Sequence, residues 1–88
     1  MEYQIITNPD NPLYNKSYEE VKLAVQENGY ILRYVHEQTE ELCKLAVQEN
    51  GDALQYVHNQ TEEICKLAVQ QNDRALQYVS DKYLGFFN

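Results

Sequence analysis

The stretch 41-ELCKLAVQENGDALQYV-57 decides the fold, because 63-EICKLAVQQNDRALQYV-79 repeats it 22 residues later and 20-EVKLAVQENGYILRYV-35 precedes it. Lys22, Leu23, Ala24, Val25 and Gln26 return unchanged as residues 44–48 and 66–70, and Asn28 returns as Asn50 and Asn72. Such a short fixed period marks units that bury their apolar faces by stacking on one another. Three copies follow, at 18–39, 40–61 and 62–83, with residues 1–17 as an irregular N-terminal capping segment and 84–88 as a short aromatic C-terminal cap.

Each copy reads as two short helices. Ser17, Thr39 and Thr61 stand where an N-cap hydroxyl is needed, and glutamates fill each first turn, where they meet the positive end of the helix dipole. Ser17 with Glu20 fits a capping box. The helix is expected to stop at Asn28-Gly29 and Asn50-Gly51 through a left-handed glycine, with Asn72-Asp73 as a weaker stop. The asparagine amides are expected to bind free carbonyls at these turns. A second helix of about two turns then leads to the next cap.

Helices this short are marginal alone in water, so packing must hold them. Leu42, Cys43, Leu45, Ala46 and Val47 span an arc of about 200° on a helical wheel, wider than one partner requires. One side is expected to meet the second helix of its own copy and the other the neighbouring copy. The predicted fold is an all-α solenoid of three stacked helix-turn-helix repeats.

Composition narrows the function. The 88 residues carry 14 acidic and seven basic side chains, a formal charge of −7 that repels nucleic-acid phosphates and anionic lipid heads. Nucleic acid and membrane are therefore disfavoured partners. No basic start with a long apolar run marks a signal peptide. An intracellular protein, in the cytoplasm of its cell, is expected.

His36 precedes Cys43 by the interval at which His58 precedes Cys65, and these are residue types that zinc favours. Equivalent residues in adjacent helices should lie about 10 Å apart, too far for one tetrahedral ion. Val21 stands where copies two and three have cysteine, which describes a small core position. Metal and cofactor are accordingly expected to be absent, and the histidines are read as exposed helix-end residues that help cap carbonyls. No phosphate loop, nucleophile-base pair or apolar-pocket carboxylate pair is present in the sequence, so no enzyme is expected.

Tyr34, Tyr56 and Tyr78 form a ladder, one per copy, which reads first as packing between repeats and second as a row of binding anchors. Variation gathers elsewhere: Tyr30, Asp52 and Arg74 occupy one position, and Arg33, Gln55 and Gln77 another. Loops and outer faces are where a repeat protein changes its partner without touching its core. These nine residues are the candidate interaction surface. Leu84, Phe86 and Phe87 read first as a plug folded back over the last repeat and second as the candidate oligomer contact.

The run CKLAVQxNxxALQYV, with NQTEEICKLAVQ, resembles a family of short helical repeats catalogued as a domain of unknown function, frequent in giant DNA viruses of amoebae and in some intracellular bacteria. The resemblance covers residues 18–83. It implies a helical stack and a viral gene, and brings no activity with it. The expected function is a noncatalytic protein-interaction or scaffold module. A self-assembling structural protein, pairing through its repeat ends into a homodimer or array, is the alternative. A reader of single-stranded RNA is the remote one, favoured by the Tyr and Gln ladders and opposed by the charge.

Overall fold

The computed structural model describes residues 3–87, and every element among them is helical. Three α-helices, α1 (Tyr18–Glu27), α2 (Glu40–Glu49) and α3 (Glu62–Gln71), each lead through one asparagine into a six-residue 3₁₀ helix, at Gly29–Tyr34, Gly51–Tyr56 and Asp73–Tyr78. A last turn, α4 (Asp81–Leu84), runs into a 3₁₀ turn at Gly85–Phe87. α1 packs on α2 and α2 on α3, and the first two 3₁₀ helices pack on α2 and α3 respectively. The result is elongated, 43 × 23 × 19 Å, as a row of stacked units must be.

The predicted caps set the starts. Ser17 Oγ accepts from Glu20 N–H while Glu20 Oε1 accepts from Ser17 N–H, a reciprocal capping box. Thr39 and Thr61 accept from Leu42 N–H and Ile64 N–H. Val21, Val25, Leu42, Cys43, Ala46, Val47, Ile64, Cys65 and Ala68 are buried along the inner face of the α-helices. Leu23, although it recurs in every copy, is 59% exposed, so recurrence alone does not mark the core.

The stops differ from expectation. No glycine has a positive φ. Asn28, Asn50 and Asn72 instead hold extended backbone at φ −151°, −150° and −158°, each ending an α-helix and capping the 3₁₀ helix that follows. Their side-chain oxygens accept from Tyr30, Asp52 and Arg74 N–H, each at 3.0 Å, rather than their amides donating to carbonyls. The asparagine closes the helix without left-handed backbone, so Asp73 is no weaker a stop: Asn72 N–H still bonds to Ala68 C=O at 3.0 Å.

The glycines serve close approach. A Cβ on Gly29 would sit under 3.0 Å from the Ala46 carbonyl oxygen, and one on Gly51 under 3.0 Å from that of Ala68. Each glycine N–H donates across the same joint, Gly29 to Glu49 Oε1 at 2.6 Å and Gly51 to Gln71 Oε1 at 2.5 Å. With three residues per turn, Gly29, Leu32 and Val35 lie in one row, as do Gly51, Leu54 and Val57. Both rows are buried.

Residues 3–17 run irregularly, with Leu13 buried and Tyr3 and Ile6 packed on the core. Asn15, at φ 59°, takes the left-handed conformation that asparagine tolerates.

Candidate functional site

The connections after the first two 3₁₀ helices are each built on a glutamine. Gln38 Nε2 donates to Tyr56 C=O at 2.8 Å, and its Oε1 accepts from His58 N–H at 2.9 Å and from the Cys43 thiol at 3.4 Å. Gln60 repeats the set with Tyr78 C=O, Ser80 N–H and Cys65. These amides do the carbonyl capping expected of His36 and His58, whose side chains are exposed. One period before Gln38, in the N-terminal segment, the position is Lys16, which offers no acceptor, and Asn11 supplies the donor to Tyr34 C=O at 2.9 Å.

Cys43 and Cys65 are buried free thiols inside these networks. Burial, with Glu40 nearby, pushes the Cys43 thiol up to about 11, and burial raises Cys65 as well. Such thiols are neutral and weakly reactive at physiological pH. Beside Cys43 lies an open recess of about 310 Å³, walled by His36, Thr39, His58 and Asn59. A second, of about 340 Å³, lies one copy further on and shares His58 and Asn59 with it.

The outer face of the α-helices is a ladder of ion pairs. Lys22 meets Glu41 at 3.3 Å, and Lys44 meets both Glu40, at 2.9 Å, and Glu63. All are partly exposed, and such pairs contribute little individually.

The residues that differ between copies gather along the 3₁₀ helices. Tyr30 and Tyr56 meet edge to face, 5.9 Å between centroids and 81° between planes. The Arg33 guanidinium lies 4.7 Å over the Tyr34 ring and donates to the Tyr34 hydroxyl at 2.6 Å. Hydrogen bonds to the Tyr34 and Tyr56 hydroxyls hold its pKa above the ordinary value. Four of the nine candidates, Tyr30, Arg33, Tyr34 and Tyr56, thus form one half-exposed cluster of three rings and a guanidinium. Tyr78 is half-buried one copy further on.

Asp52 is placed differently. It is only 9% exposed, and Arg74 from the next copy donates to its Oδ2 at 3.1 Å, while Oδ1 has no partner. This pair joins two copies and leaves Arg74 largely exposed. Gln55 and Gln77 each commit an amide hydrogen to their own segment, at Asp52 C=O and Arg74 C=O, 3.0 and 3.1 Å away.

Of the C-terminal aromatic set, Leu84 and Phe87 pack on the core, whereas Phe86 is 56% exposed beneath the Lys66 ammonium, 5.7 Å from its ring centroid. Tyr83 donates to Gln60 C=O at 3.1 Å and pins this segment to copy three.

No helix among the described residues is long and apolar enough to cross a membrane. The family model described as Domain of unknown function (DUF4116) matches residues 18–60 and again 39–84, two overlapping stretches that together span the three copies. Neither the curated proteins nor the solved structures give a match.

Proposed function

Because the chain belongs to the DUF4116 family, whose description supplies no activity, we propose from the geometry that this protein is a noncatalytic interaction module whose binding face is the outer edge of its 3₁₀ helices. The Tyr30, Arg33, Tyr34, Tyr56 cluster carries the reading. Tyrosine and arginine are the side chains that anchor protein interfaces, and here ring stacking and hydrogen bonds hold them in place before any partner arrives. The ordering entropy of binding is thereby reduced. The likeness of the repeat to those of giant DNA viruses of amoebae supports a viral gene whose product works in the host cytoplasm, with a host or viral protein as partner.

Affinity capture from amoebal lysate tests this with three baits: the parent chain, Tyr30→Ser/Arg33→Ala, and Lys44→Ala on the ion-pair face. A protein held by the first and third baits and lost from the second is expected. Identical capture by all three baits, or none by any, sinks the reading.

The exposed Phe86, with Leu76 of the same copy-three end also 41% exposed, favours a second reading in which this end pairs two chains. Light scattering over a concentration series decides it: a strict monomer at the highest concentration removes it, and an oligomer abolished by Phe86→Ser supports it.

A further inference from the structure

We infer that Asp73 closes the open end of the stack to a further repeat, from a second copy of this chain or from another protein built of the same unit. Every joint inside the molecule needs a glycine where copy three has this aspartate. At Gly29 and Gly51 the next helix comes so near that a Cβ would fall under 3.0 Å from a backbone carbonyl oxygen, which cannot swing aside as a side-chain end could. The turn before Asp73 has the same build as the other two, with Asn72 at φ −158° and ψ 118° against −150° and 111° for Asn50, and the same 3.0 Å bond from its side-chain oxygen. The Asp73 Cβ therefore points at the place an incoming helix would put its carbonyl. Its carboxylate would also crowd the Glu or Gln side chain that takes the N–H in the internal joints.

The rest of the end surface agrees. Leu76 is 41% exposed, whereas its equivalents Leu32 and Leu54 are fully covered by the next copy. Gly85 stands where Glu41 and Glu63 receive the preceding lysine, and Lys66 turns instead to Glu62 and Phe86. Leu76 is thus left open beside a residue that rejects the helix best shaped to cover it. Head-to-tail growth of the stack is barred, so any pairing of chains at this end, as in the second reading above, uses a different geometry.

The test duplicates residues 58–79 between Val79 and Ser80, which makes Asp73 internal and gives the new helix its own Gln60 and Thr61. This extended chain is compared with the same chain carrying Asp73→Gly at the internal position, and both with the natural-length pair. Glycine is expected to raise the melting temperature of the extended chain by about 5 °C or more, and to shift the natural-length chain by less than about 3 °C. Amide hydrogen exchange should show the duplicated copy weakly protected behind aspartate and fully protected behind glycine. Equal shifts in the two chain lengths overturn the inference. So does a duplicated copy equally protected, or equally unprotected, behind either residue.

Discussion

Gly51→Ala separates close approach from every other role a glycine could have at this turn. Gly51 opens a helix with a negative φ, where alanine would ordinarily stabilise by about 0.4–1 kcal/mol through the unfolded chain. In this structure the new methyl would fall under 3.0 Å from the Ala68 carbonyl oxygen, 3.0 Å from Gln71 Oε1 and 3.2 Å from Asn72 Cβ. Forcing the joint apart costs about 1–3 kcal/mol in overpacking. Weakening the bond from Gly51 N–H to Gln71 adds about 0.5–1.5 kcal/mol. The net loss is about 2 kcal/mol, or roughly 8–16 °C in melting temperature for a domain of this size. Urea unfolding followed by far-ultraviolet circular dichroism reads it as a lower midpoint at unchanged slope. Gly85→Ala is the control, because nothing lies within 4 Å of its added Cβ, and it should stay within about 0.5 kcal/mol of the parent. A Gly51→Ala protein as stable as the parent, or two variants that behave alike, would refute the close-packed joint.

Gln60→Leu keeps the volume but leaves Tyr78 C=O and Ser80 N–H without their partner, so it should cost about 1–3 kcal/mol in urea unfolding; a neutral result would mean that solvent replaces the amide. The Cys43 thiol, buried and raised to about 11, should react with iodoacetamide at pH 8 only as fast as the chain opens, and modification at the rate of a free cysteine would contradict its placement. Glu20 and Glu41 are held below the ordinary carboxylate value of 4.5, Glu20 by the Ser17 N–H and hydroxyl, Glu41 by the Tyr18 hydroxyl and Lys22. Their contribution is therefore present above pH 4.5 and fades as pH falls below it, so the stability lost between about pH 6 and pH 3 should be smaller in Glu20→Gln/Glu41→Gln than in the parent. An equal loss in both proteins would assign the acid sensitivity to other groups.

The period, the caps and most of the core were legible because each is set by a residue type recurring at a fixed interval. The 3₁₀ geometry was also written there, in the spacing of three that joins Gly29, Leu32 and Val35, but the same spacing suits an α-helical face and does not by itself choose. The purpose of the glycines was hidden, since turn chemistry and close approach call for the same residue. Only the neighbouring helix, with the Ala46 or Ala68 carbonyl under 3.0 Å from a Cβ, tells them apart. Gln38 and Gln60 recur and could have been singled out as structural amides, whereas Asn11 does the same work from outside the repeat, where no periodic signal reaches.

The least legible residue was Asp52, and the reason is general to chains of this kind. Invariance marks what every copy shares with its neighbours. Variation marks two different things, a surface facing solvent or a contact peculiar to one pair of copies. Arg33 is of the first kind: it is exposed, and it joins the rings that form the proposed binding face. Asp52 is of the second, covered to 9% exposure and held by the one arginine that follows it 22 positions later. Removing that arginine would leave a buried carboxylate with no partner on either oxygen, so Arg74→Ala should destabilise the chain more than Arg74→Ala combined with Asp52→Ala. If the single variant proves the milder of the two, then Asp52 and Arg74 are independent surface residues and the variable position belongs wholly to the binding face.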